Sequence, residues 1–109
     1  MAACVASSET KARALLQSCV KRIEVTDAKV NAFTDKTLGR AFAEADAVDA
    51  RFAKGEILGP LAGVPYAVKN LFDIEGLVTL AGSVVNRSHA PATEDAFLVS
   101  RMKSGVTSY

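Results

Sequence analysis

The sequence predicts an α/β chain, on three observations. Two segments of the first half carry apolar residues at spacings of three and four, the period of a helix with one covered face. Residues 59–83 lose that period and become a run of Gly, Pro, Val and Leu, as in short strands joined by tight loops. Residues 95–104 then return to helical spacing. Helices interleaved with strand-like runs are the pattern of a layered α/β architecture.

The first helix is expected from Glu9 to Glu24, with Ala12, Leu15, Leu16, Cys19, Val20 and Ile23 on its apolar face. Ser7 or Ser8 would cap its start, and Thr26-Asp27 would break the pattern. Val30 to Thr34 alternates apolar and polar residues and reads as a short strand. A second helix is expected from Lys36 to Lys54, with the stripe Leu38, Ala41, Phe42, Ala45, Val48 and Phe52. Glu44, Asp46, Asp49 and Arg51 lie on or beside its other side. Gly39 weakens the first turn by roughly 1 kcal/mol relative to alanine. Gly55 is the expected stop, in the left-handed conformation. Val64 to Val68 is the best strand of the second half, with Pro65 at its start or on a bulge. Ile74 to Leu80 is a further strand candidate, Val84 to Thr93 a polar surface loop. Asp95 to Ser104 is the third helix, with Phe97, Leu98, Val99 and Met102 apolar, Thr93 as cap and Gly105 as stop. The division is therefore 1–58, mainly helical, and 59–109, strand and loop with one helix.

Composition narrows the function classes. The 109 residues allow one domain at most. Thirteen basic and twelve acidic residues leave a net charge of +1, and no basic stripe interleaves with aromatics, so nucleic-acid binding is not expected. No stretch reaches the roughly 20 apolar residues that span a bilayer, and the N-terminus lacks the basic and apolar regions of a signal peptide. Cys4 and Cys19 make neither a disulfide framework nor a metal knuckle. The expectation is a cytoplasmic protein with reduced thiols, no metal and no cofactor.

The chemistry candidates are few. Lys69 ends the apolar run Val64 to Val68. Burial disfavours the charged form of an amine, so a covered Lys69 would accept a proton as a solvated one does not. The alternative is a solvated lysine whose stem lies along apolar surface. Glycines 59, 63, 76 and 82 form neither a GxGxxG nor a Walker-type run. His89 has no neighbouring cysteine or catalytic serine pattern and reads as a loop histidine. Ser83, after Gly82, is the most tempting nucleophile, but no serine lies in a Gly-x-Ser-x-Gly elbow.

The stretch GPLAGVPYAVKNLFDIEGLVTLAGS resembles the amidase signature family, whose members hydrolyse carbon–nitrogen amide bonds. It is similar to that family's block Gly-Pro-Leu-x-Gly-(Val/Ile)-Pro-x-x-(Val/Ile)-Lys-(Asp/Asn), followed by Gly-Leu-x-Thr-x-Ala-Gly-Ser. VNAFT and AEADAVDARFAKGE also resemble the family's N-terminal region, nearest to members acting on biuret-like or allophanate-like substrates. The resemblance covers residues 9 to 104. It implies the N-terminal portion of the amidase-signature fold, incomplete as a domain: two amphipathic helices, short strands of a mixed sheet and a third helix. It also implies that Lys69 is the base of a Ser–cis-Ser–Lys triad acting on a small amide substrate.

Three departures bear on that implication. The family's Gly-Gly-Ser-Ser-Gly-Gly-Ser loop, which carries both serines, is absent from these 109 residues. The chain ends Val106-Thr107-Ser108-Tyr109 where the family continues with an apolar strand, and Val78 stands where a proline is usual. The expectation is an N-terminal fragment of an amide hydrolase, inactive alone. A complementing piece for a chain carrying the serines, or a binding or regulatory module retaining the N-terminal shape, are the alternatives.

Overall fold

The structure, a computed structural model, describes residues 10–104, with side chains up to Lys103. Among the described residues there are three α-helices, α1 (Ala12–Val30), α2 (Leu38–Ala53) and α3 (Phe97–Ser104), with a 3-10 turn at Val84–Ser88 before α3. The chain divides into two units, one running to Pro65 and the other comprising Tyr66–Ser104.

The first unit is built on α1 against α2. Ala12, Leu16 and Val20 fall one turn apart, so they line one stripe of α1 and are buried. They meet Ala45 and Val48 of α2 and Ala62 beyond it, with Leu15, Leu38, Ala41, Phe42, Phe52 and Leu58 packed around them. Full burial of a Leu or Val side chain contributes about 1.5–3 kcal/mol. The stripe read for the second helix makes its side of this core, and so do Ala12, Leu15, Leu16 and Val20 of the first, whereas Cys19 and Ile23 are only half-buried and lie outside it.

The ends of α1 differ from expectation. The helix begins at Ala12, after an N-cap at Lys11 that makes no side-chain bond, and the serines expected as caps lie outside the described residues. Its first N–H groups are taken from across the interface. Asp49 of α2 accepts from the Ala12 N–H at 2.7 Å and from the Arg13 N–H at 3.2 Å. A carboxylate there also meets the positive end of the helix dipole. Asp49, expected on or beside the outer side of α2, therefore reaches α1.

Thr26-Asp27 does not break α1, which continues to Val30. The Thr26 hydroxyl donates to the Arg22 carbonyl at 2.8 Å, staying within the helix. The Asp27 carboxylate reaches forward, accepting from Ala32 N–H at 2.8 Å and Phe33 N–H at 3.2 Å, while Lys36 Nζ lies 2.9 Å from its other oxygen. Asn31 closes the helix in the left-handed conformation, at φ 49°. The expected strand Val30 to Thr34 is thus a capped turn, because its amides are spent on Asp27.

The stop after α2 is as expected. Gly55 has φ 74°, its N–H donates to Phe52 O at 2.9 Å, and Glu56 N–H donates to Arg51 O at 3.2 Å. This is the paired closure of a Schellman motif. The Arg51–Glu56 ion pair, at 2.6 Å, ties the same corner.

The second unit is mostly turns. No strand forms among the described residues beyond a one-residue bridge at Leu58, so the expected strands Val64–Val68 and Ile74–Leu80 are absent from them. A ladder needs a partner strand alongside, and the described residues offer neither run one. Ile74 to Leu77 is a turn closed by Leu77 N–H to Ile74 O at 2.9 Å, with Gly76 at φ 83°. The left-handed third residue of a type II turn requires a glycine or asparagine. Helix α3 starts at Phe97, with Ser100 N–H donating to Ala96 O at 3.0 Å, so Ala96 rather than Thr93 stands at its cap. Of its expected apolar residues only Val99 is buried; Phe97 is 77% exposed, Leu98 55% and Met102 40%.

Candidate functional site

Lys69 lies in the irregular stretch 64–69, early in the second unit. It is exposed, the solvated one of the two alternatives the sequence leaves open, and the strand expected to end at it is absent. The reason is local: no strand forms around it, and no described helix of its own unit starts before Phe97 apart from the 3-10 turn.

Its backbone is nevertheless closely tied. The Lys69 carbonyl accepts from Leu71 N–H at 2.7 Å and Phe72 N–H at 3.1 Å. Asn70, half-buried, then makes two bonds to a segment ten residues on. Its Oδ1 accepts from Leu80 N–H at 2.8 Å, and its carbonyl accepts from Ala81 N–H, also at 2.8 Å. Those amides begin a tight turn, closed by Ser83 N–H to Leu80 O at 2.8 Å. Ala81 at φ 47° and Gly82 at φ 76° give it the two left-handed residues of a type I′ turn. The Asn86 amide grips the same turn from the other side, donating to Leu80 O at 2.9 Å.

Further ties complete the loop. The Thr79 hydroxyl donates to Asp73 Oδ1, and the Asp73 carbonyl accepts from Ala96 N–H at 2.9 Å. Asp95 Oδ1 accepts from Glu75 N–H at 3.0 Å. Gly76 N–H donates to Ala92 O at 2.9 Å, and Ala92 N–H returns a bond to Leu77 O at 2.8 Å. The lysine block and the segment ending at Ser83 are thus one hydrogen-bonded assembly. Asn70 and Asp73 were not singled out from the sequence. Their signal was position: short acceptor side chains one and four residues after the lysine, in a stretch with no ladder to satisfy its amides.

Elsewhere, His89 is exposed and its backbone N–H donates to Asn86 O at 3.0 Å. Among the described residues no three His, Cys, Asp or Glu side chains group as metal ligands would. None of the described helices is long and apolar enough to cross a membrane.

The family profile described as Amidase matches residues 14–107. The chain belongs to the amidase family. Its curated relatives include the AtzE subunit of the 1-carboxybiuret hydrolase of Pseudomonas sp. (strain ADP), 57% identical over 92% of this chain and 22% of the relative. Another is the A subunit of the glutamyl-tRNA(Gln) amidotransferase of Streptomyces coelicolor, 41% identical over 95% of this chain and 21% of the relative. A solved structure described as a vestigial protein complex revealing the evolutionary origins of an s-triazine catabolic enzyme superposes with a TM-score of 0.93. That likeness is at 55% identity, over 95% of this chain and 23% of the solved one. This amidase-family chain therefore spans about a fifth of the length of the curated relatives it matches, and corresponds to their N-terminal part.

Proposed function

We propose that this chain supplies the proton-accepting lysine, Lys69, of an amide-hydrolysing enzyme whose two serines lie outside residues 1–109. In this reading a bridging serine gives its proton to the Lys69 amine and takes one from the nucleophilic serine. That serine attacks the amide carbonyl, the amine leaves with a proton, and water releases the acid from the acyl-enzyme. The observation that carries the reading is the family match across the lysine block, at 57% identity to part of a hydrolase. The absence of a Gly-Gly-Ser-Ser-Gly-Gly-Ser run, together with coverage of 22% of that relative, supports serines outside the chain.

The exposure of Lys69 fits the same reading. A proton-accepting amine needs cover, and the remainder of the family's length is where that cover would come from. The exposed Phe97, Leu98 and Met102 on α3 are apolar surface of the kind that another part of an enzyme buries. We take the substrate to be a small amide of the carboxybiuret type, by analogy with the AtzE relative. Both relatives are named as parts of larger enzymes, which supports association of this chain with others. A reducing cytoplasm is the compartment in which the half-buried Cys19 stays the free thiol it is here.

The test is hydrolysis by the complete enzyme. Lys69→Ala is expected to lower kcat at least about 10,000-fold, since triad members act as a unit. Residues 1–109 alone are expected to release no ammonia from biuret or simple amides. Turnover by residues 1–109, or near-normal kcat in Lys69→Ala, would overturn the assignment.

A further inference from the structure

Asn70 holds a place that the proposed mechanism leaves unassigned. It follows Lys69 directly, and it is half-buried while the lysine is exposed. Two consecutive amides of one distant turn, Leu80 and Ala81, end on two different atoms of this one residue, each at 2.8 Å. The Lys69 carbonyl meanwhile holds Leu71 and Phe72 N–H. The chain on the C-terminal side of Lys69 is therefore bonded at two successive residues, Lys69 and Asn70, which ties down the origin of the side chain although its amine is exposed.

The turn at the other end is itself specified. Ala81 adopts φ 47°, a conformation that costs a residue with a Cβ roughly 1–2 kcal/mol relative to its right-handed alternatives. Such a conformation persists where the surroundings over-determine it. Here they do: Ala81 N–H is bound by the Asn70 carbonyl, and Leu80 is bound by Asn70 Oδ1 at its N–H and by Asn86 Nδ2 at its oxygen.

We infer that Asn70 is a positioning residue for Lys69, locking the lysine's backbone to the Leu80–Ser83 turn so that the amine approaches its proton donor from one fixed origin. Rates of such transfers fall steeply with small displacements; a shift of about 1 Å can cost a factor of 100. The inference rests on Lys69 being the proton acceptor, and the experiment separates the two. Asn86 provides the internal control, because it binds the same Leu80 but lies away from the lysine in sequence and contacts the turn by a comparable bond.

The experiment compares four variants in the complete amidase carrying residues 1–109, with kcat and KM measured on folded protein well below its melting temperature. Asn70→Ala is expected to lower kcat about 100-fold with KM nearly unchanged. Asn70→Asp keeps an oxygen acceptor in place and is expected to restore most of that loss. Asn86→Ala is expected to lower the melting temperature about as much as Asn70→Ala while leaving kcat close to wild type. Lys69→Ala marks the floor. Should Asn70→Ala fail to fold, Asn70→Gln replaces it, since it keeps the amide but sets the oxygen one methylene further out; the same kcat loss is expected. The positioning role is overturned if Lys69→Ala silences the enzyme while the Asn70 variants keep wild-type kcat. It is equally overturned if Asn86→Ala lowers kcat as much as Asn70→Ala, or if Asn70→Asp recovers nothing. Near-normal kcat in Lys69→Ala would instead remove the reading on which the inference stands.

Discussion

The two units of this chain are held together by different forces. The first rests on apolar side chains from two helices, Leu16 and Val20 against Ala45 and Val48, closed at the corner by Gly55. The second buries one apolar side chain of α3, Val99, and is otherwise tied by hydrogen bonds, between backbone groups and from the short polar side chains of Asn70, Asp73, Asn86 and Asp95. Hydrophobic burial is non-directional and tolerates some slippage, whereas hydrogen bonds fix distances to tenths of an ångström. The lysine that the family match makes interesting lies in the unit built for placement rather than for bulk.

The comparison can be pressed hardest at Leu16. Leu16→Ala leaves a cavity under both helices and is expected to cost about 2–4 kcal/mol, read as a fall in the urea midpoint. A loss below about 1 kcal/mol would mean that burial is not what holds the first unit. The glycines give a smaller and sharper contrast. An added Cβ meets nothing within 4 Å at either Gly39 or Gly55, yet Gly55 sits at φ +74°. Gly55→Ala is expected to destabilise by about 1 kcal/mol and Gly39→Ala to stabilise by about 0.5–1 kcal/mol. Thermal melts of the two variants should therefore shift in opposite directions. Equal shifts would remove backbone conformation as the cause.

The last effect is one of slope. The Lys36 side chain bonded to Asp27 holds its carboxyl below the ordinary value of 3.8, against a weaker opposing push from burial and with help from the Ala32 and Phe33 amides. A depressed carboxylate stabilises the fold above the unfolded value and loses that contribution as pH falls through the lower folded value. Stability of the wild type should thus fall as pH drops from about 4 downward. Asp27→Asn should be less stable at neutral pH, and the gap should narrow through that same window. Parallel curves for the two proteins down to the acid limit would exclude the ion pair as the source.

What the sequence made legible divides along the same line. Apolar period located the core residues of both helices, because each stripe is a property of one helix alone. Gly55 was legible because its chemistry is local. The carboxylates were not, since what Asp27, Asp49 and Asp73 bind depends on where a distant or turning backbone leaves a donor. The strands expected at Val64 to Val68 and Ile74 to Leu80 are absent for a related reason: a short apolar run between turn residues describes a segment that wants a neighbour, and cannot say that the neighbour is there. Lys69 is marked in the sequence by its motif, but its exposure follows from that missing neighbour, and the bonds of Asn70 beside it are made to a segment ten residues away. The sequence displayed the residue and concealed its fastening.

The grip of Asp49 on the start of α1 has a consequence for how this region accommodates change. Two adjacent amides end on one carboxylate, so advancing either helix by a single position would forfeit both contacts at once. Residues added to the link between Val30 and Leu38 would therefore loop out there. The pair itself would keep its alignment, like a latch that engages in one notch.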